Sequence, residues 1–305
     1  MSDALTRRHL DDDALAVIAS TAADRIAWFQ GQSRWIPYES ATDVITRVES
    51  LVMRPRHHRM RGMLVVAESN NGKSRLAAEI AHRFPFDPNE DGDHSILPVM
   101  LFEMPPRPDE VSIVDALMKQ VGQPFRRTDP IGDRRDQLVR ALRNLEVKVV
   151  MGDDLQKLLG ARQEQRRVVM DAIRYLCNQV PVPFVGFSTK RGAAALSSSD
   201  EMINRMPMVS LPTWALDDAF RQLLAAFQRQ LPLREPSRLT TRSMASLIHV
   251  LSEGLIGEVH DLLESAVERA LTTGRESIDE ALLRELSWIP PSQRKRLVGL
   301  PMGKA

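Results

Sequence analysis

Cysteine is almost absent from this chain: Cys177 stands alone among 305 residues. One thiol closes no internal disulfide and builds no multi-cysteine zinc centre, so both scaffolds are excluded. Long apolar runs are missing as well. Stretches such as LEVKVVM and VPFVGF fall far short of the roughly 20 residues that span a bilayer. The opening MSDALTRRHLDDDALA has no apolar centre of a secretion signal. The expectation is a cytoplasmic protein with no membrane partner. Neither sign of charge dominates: 41 Lys and Arg against 40 Asp and Glu leave +1, so the chain as a whole does not advertise a polyanion partner. Only local clusters do, namely PPSQRKRLVGLPMGKA and RRVVMDAIR (Arg166 to Arg174).

What is present is an ordinary globular composition, long enough for two domains. Residues 1–40 read as a helical lead-in ending in the extended WIPYES. ATDVITRVESLVM carries apolar residues at helical spacing. Four buried strands follow, in GMLVVAES, SILPVMLFEMP, VKVVMGDD and VPFVGFST, separated by helical patterns. Strands alternating with helices predict a parallel sheet sandwiched by helices. After LPTW (Leu211 to Trp214) the strands stop, and LDDAFRQLLAAFQRQL, LTTRSMASLIHVLSE, IGEVHDLLESAVERALTTG and IDEALLREL are amphipathic helices. The expected organisation is an N-terminal segment at 1–40, an α/β nucleotide-binding domain at 41–212, an all-α domain at 213–290 and a basic tail at 291–305.

The stretch AESNNGKS, Ala67 to Ser74, matches the phosphate-binding pattern G-x-x-x-x-G-K-[ST] at every fixed position except the first. In that pattern backbone N–H groups converge on phosphate oxygens, the lysine adds a point charge and the hydroxyl binds Mg²⁺. Its position between a predicted strand and a predicted helix strengthens the match. Alanine for glycine is compatible with the loop provided φ there is negative. Residues Ala67, Glu68, Ser69, Asn70, Asn71, Gly72, Lys73, Ser74 and Arg75 are therefore candidates to bind ATP, with Ser74 on the metal.

Such a loop needs an acidic strand end beside it. VVMGDD supplies Asp153 as the metal-orienting carboxylate and Asp154 at the place of a catalytic base, usually glutamate. Aspartate is one methylene shorter, and a displacement of about 1 Å can cost on the order of 100-fold in rate, so slow hydrolysis with intact binding is expected. The fourth strand ends in FSTKRG, where Thr189, with Ser188 close behind, is the candidate to bond the γ-phosphate or the attacking water.

Together these motifs resemble the AAA+ ATPases, and within them the TniB proteins of bacterial transposons, relatives of TnsC and IstB. The resemblance runs through WIPYESA, RMRGMLVVAESNNGKS, VVMGDDLQKLLG, QRRVVMDAIRYLCNQVPVPFVGF, INRMPMVSLPTW, SEGLIGEVHDLL and WIPPSQRKR. It implies an AAA+ core with a helical lid and an ATP-dependent homo-oligomer, a ring or filament, on double-stranded DNA. It further implies partnership with a DDE transposase (TniA-like) and a target selector (TniQ-like). By the same resemblance Arg205 is an arginine finger for a neighbour's ATP, and Trp35, Ile36 and Tyr38 belong to the segment that packs near adenine. At the lid turn, where an arginine sensor is usual, stands Glu258. Gly152, Asp154 and Met206 also depart from the family pattern, as does Ala67. Arg134, Arg135, Arg166, Arg167, Lys190 and Arg191 are candidates for DNA phosphate contacts. A replication-type helicase loader and a non-hydrolysing scaffold remain as alternative readings.

Overall fold

The computed structural model describes residues 9–31, 35–57, 60–196 and 206–297. The chain divides into two compact units. One comprises residues 39–212, the other residues 1–38 together with 213–305.

The first unit begins with α1 (Glu39–Met53), whose buried Val44, Ile45, Val48, Leu51 and Val52 fall at helical spacing. Five strands follow: β1 (Met63–Ala67), β2 (Val99–Glu103), β3 (Val149–Asp153), β4 (Phe184–Ser188) and β5 (Met208–Leu211). They form one sheet in the order β2-β3-β4-β1-β5, with every pairing parallel. The crossovers are α2 (Lys73–Arg83), α3 (Glu110–Gln120), α4 (Ile131–Asn144), α5 (Gln163–Gln179) and α6 (Lys190–Leu196), with a 3₁₀ turn at Leu155–Gly160. β1, β3 and β4 are buried along their whole length. This is the continuous burial that a parallel sheet covered on both faces imposes. Its core joins Leu64, Phe102, Val150 and Phe184 to Leu117, Leu142 and Ile173 of the helices.

The sheet has a fifth strand that the sequence pattern did not reveal. β5 has only four residues, three of them exposed or half-buried, and becomes a strand by pairing with β1 (Val65 to Val209, Ala67 to Leu211). Gly152, unusual inside an acidic strand, has a packing cause. A Cβ there would sit 2.8 Å from the Phe184 ring and 3.2 Å from that of Phe102.

The second unit is helical: α7 (Asp12–Val17) and α8 (Ala22–Gly31) from the start of the chain, then α9 (Asp218–Gln230), α10 (Arg242–Ser252), α11 (Ile256–Thr272), α12 (Glu280–Glu285) and α13 (Pro291–Leu297). Asp11, Asp217 and Asp279 cap α7, α9 and α12 by accepting backbone N–H groups from Ala14, Phe220 and Leu282. Phe29 and Ile36 share one core with Phe220, Leu224, Ile248, Val259, Leu263 and Leu282. Arg25, 2% exposed, ties the two ends of the chain. Its guanidinium makes a fork with Glu276 (2.6 and 2.8 Å) and donates to the Pro232 carbonyl at 2.9 Å. At the far end, Arg294 of α13 pairs with the buried carboxylate of Glu258 and lies over the Trp288 ring. No helix among the described residues is long and apolar enough to cross a membrane.

Candidate functional site

The site lies where β1, β3 and β4 end in the sheet. Ala67 is the last residue of β1, fully buried and paired with Leu211, and it does not adopt positive φ. Alanine therefore meets no steric penalty there. The left-handed positions fall later, at Asn70 (φ 57°) and Gly72 (φ 78°), residue types that tolerate them. Asn71 anchors the loop. Its buried amide donates to the carbonyls of Leu211 and Pro212, each at 3.1 Å, fastening the loop to the end of β5.

Lys73 opens α2 and is 6% exposed. Its ammonium donates to the carbonyls of Glu68 (2.6 Å) and Ala67 (3.3 Å). Burial pulls its pKa down, against the opposing charges of Asp153, Asp154 and Glu68. Ser74 follows and its hydroxyl hydrogen-bonds the Asp153 carboxylate. Asp153 ends β3, 9% exposed, and also accepts the Asp154 N–H at 2.7 Å. Burial pushes its carboxyl above the ordinary value, with the Ser74 and Asp154 bonds working the other way. A desolvated cation, a hydroxyl and a desolvated carboxylate thus share one strand-end cluster.

Asp154 is left-handed (φ 58°) and half-buried. Gln156 donates to its Oδ1 at 2.6 Å and Lys157 pairs with its Oδ2 at 3.2 Å, while Lys157 also pairs with Glu103. No motif marked Gln156 or Lys157, because the spacing that brings them back to Asp154 is created by the 3₁₀ turn. Thr189 caps α6, its Oγ1 accepting the Gly192 N–H at 3.2 Å. Its neighbour Ser188 is the last residue of β4, fully buried, with an unpartnered hydroxyl.

The remaining candidates are distributed as follows. Ser69 and Asn70 are exposed, Arg75 is half-buried in the first turn of α2, and the Glu68 carboxylate pairs with Lys190 at 3.1 Å. Trp35, Ile36 and Tyr38 belong to the helical unit. There Trp35 stacks on Tyr38, and Tyr38 meets Trp214 edge-on with centroids 5.2 Å apart. Burial pushes the Tyr38 phenol up to about 12. Arg205 lies outside the described residues. Met206 is buried in the core of the α/β unit. Glu258 is occupied by Arg294.

Arg134 is a correction: it cannot meet DNA phosphates, because it is 4% exposed, paired with Asp115 and bonded to the Asp129 carbonyl. Arg135 is engaged with Glu110 and the Tyr175 ring. Arg167 and Arg191 are exposed and Arg166 is half-buried.

The parallel sheet order, the loop after β1 and the helical unit define the AAA+ fold of the ORC and Cdc6 proteins. The ORC2 protein of Aeropyrum pernix, solved in ADPNP–ADP complexes, superposes with a TM-score of 0.61 at 17% identity, over 84% of this chain and 70% of that one. Cdc6p from Pyrobaculum aerophilum gives a TM-score of 0.58 at 15% identity, over 88% and 72%. The A. pernix ORC1 protein in complex with DNA gives 0.54 at 16% identity, over 88% and 70%. At such identities the likeness is one of fold. No curated protein matches the sequence. The family model described as bacterial TniB protein matches residues 25–216, and the chain belongs to that family.

Proposed function

We propose that this TniB-family chain is an ATP-switched oligomeric regulator of DNA transposition that loads on duplex DNA and recruits or activates a DDE transposase. The observation that carries the nucleotide reading is the convergence of Lys73 and Ser74, at the start of α2, with Asp153 at the end of β3. These groups fit a magnesium-bound triphosphate. Lysine beside carbonyls is a donor already desolvated for phosphate oxygens, and a serine hydroxyl against a carboxylate is the hard oxygen pair that Mg²⁺ takes. Magnesium would supply charge neutralisation at the phosphates.

In hydrolysis, Asp154 accepts the proton of the attacking water while Lys73 offsets charge on the phosphate oxygens, leaving ADP and inorganic phosphate. Arg205 is assigned by resemblance to a neighbouring subunit's site. Its replacement by alanine should spare ATP binding and abolish turnover; unchanged turnover counts against it. DNA contact is assigned to exposed arginines such as Arg167 and Arg191, so binding should weaken steeply with salt and ignore base sequence.

The decisive experiment is negative-stain imaging with duplex DNA in ATP, ADP and a slowly hydrolysed analogue. Rings or filaments only with triphosphate support the switch; identical images in all three favour a scaffold whose nucleotide is structural. The likeness to ORC and Cdc6 folds supports a second reading, a replication-type loader. Co-purification separates the two: a TniA-like transposase or TniQ-like selector favours the first, a replicative helicase the second.

A further inference from the structure

We infer that Gln156 is a positioning residue for Asp154, and that it works as a pair with the hydroxyl of Ser188. The inference rests on the hydrolytic role proposed for Asp154 and adds the device that aims it.

An aspartate at this place has a short reach, so its orientation matters more than a glutamate's would. Its backbone is left-handed, and both carboxylate oxygens are held from the same short turn, Oδ1 by the Gln156 amide N–H and Oδ2 by Lys157. The two grips differ in kind. Lys157 is shared with Glu103, whereas the Gln156 amide group has Asp154 as its hydrogen-bond partner at one end and none at the other. Its Oε1 is buried without a partner, and so is the Ser188 hydroxyl at the end of β4.

A buried polar atom left unpaired is costly, so two together call for an explanation. They are chemically complementary, a hydroxyl that donates and an amide oxygen that accepts. They also border the same spot. A Cβ on Gly192 would lie 2.3 Å from Ser188 Oγ, 2.9 Å from Gln156 Cα and 3.0 Å from Gln156 Cβ. Glycine at 192 thus lets α6 pass with no side chain between serine and glutamine. A hydrogen bond from Ser188 O–H to Gln156 Oε1 would answer both atoms and join the polar end of β4 to the acidic end of β3. Asp154 is then aimed through an amide that itself answers to Ser188.

The test uses the full chain with duplex DNA. ATP affinity is read by titration of a fluorescent analogue, and chemistry by single-turnover phosphate release. Gln156→Leu should leave affinity within about two-fold and slow release by about 10- to 100-fold, the scale set by misplacing a reacting group. Gln156→Glu, which keeps an oxygen but sets a like charge beside Asp154, should be at least as slow and serves if the leucine variant misfolds. Ser188→Ala combined with Gln156→Leu should be no slower than the slower single variant, the signature of groups acting as a unit. Unchanged release in both Gln156 variants overturns the role, and so does a loss of affinity equal to the loss of rate. Multiplicative losses in the double variant overturn the link to Ser188. A wild-type chain that releases no phosphate removes the hydrolytic reading and this role together; wild-type turnover with unaffected variants removes this role alone.

Discussion

The Arg25 pair of the helical unit and the strand-end cluster of the α/β unit bury charge in opposite ways. In the helical unit a buried ion is matched by its partner: Arg25 forks onto Glu276, whose carboxyl is held below its ordinary value chiefly by that hydrogen bond. At the strand-end cluster burial wins over pairing, although elsewhere in the same unit Arg134 is matched by Asp115. Lys73 is pulled down and Asp153 pushed up, each away from its charged form. A matched pair serves the fold, because each charge answers the other's desolvation. Groups left desolvated and only partly answered are the kind that gather where a charged ligand is to be received. The difference is the one expected between charge that serves the fold and charge at the proposed nucleotide site.

The largest effect that could break this comparison is expected in the helical unit. Glu276→Gln leaves the Arg25 guanidinium buried without its countercharge, and urea unfolding should show a loss of about 3–5 kcal/mol. Acid should expose the same pair. The folded pKa of Glu276 lies below the unfolded value, so its contribution is complete above the ordinary 4.5 and is withdrawn as pH falls through the folded value. Melting temperature followed from neutral pH into that range should drop more steeply for wild type than for Glu276→Gln. Parallel curves would remove the structural assignment.

Next in size is Lys73→Met in the α/β unit. ATP affinity should fall by about 1.5–3 kcal/mol, the worth of hydrogen bonds to a charged group, with no fall in the urea midpoint. A destabilised variant with intact affinity would reverse the reading of this lysine. Gly152→Ala should cost about 1–3 kcal/mol by overpacking against Phe102 and Phe184, measured by urea unfolding; a neutral result would mean the rings yield freely. The smallest effect is Thr189→Ala, about 1 kcal/mol from the lost cap of α6. If that variant instead abolished phosphate release at unchanged stability, Thr189 rather than Ser188 would be the hydroxyl that matters.

How much of this was legible depended on the range of the interaction involved. The strand-loop-helix around Lys73 is written in contiguous residues, since an apolar run, a glycine at a left-handed position and a helix opening on lysine are local events. The acidic end of β3 was legible for the same reason. β5 was not, because a four-residue edge strand with exposed Met208 becomes a strand only by hydrogen-bonding to β1. Of the two hydroxyls at the end of β4, sequence ranked Thr189 first. The helix that starts there uses that hydroxyl as its cap and leaves Ser188 inside the sheet.

By itself, then, the sequence determined the alternation of strands and helices, the phosphate-loop pattern and the acidic pair beside it, all set by backbone preference and hydrophobic period over short spans. Tertiary structure alone decided that the first helices share a core with the last ones, that Glu258 is spent on Arg294, that Arg134 is internal, and that Gln156 turns back to Asp154. Those outcomes depend on which desolvated group finds which partner across many residues of chain. Packing settles that competition, and no local pattern encodes it.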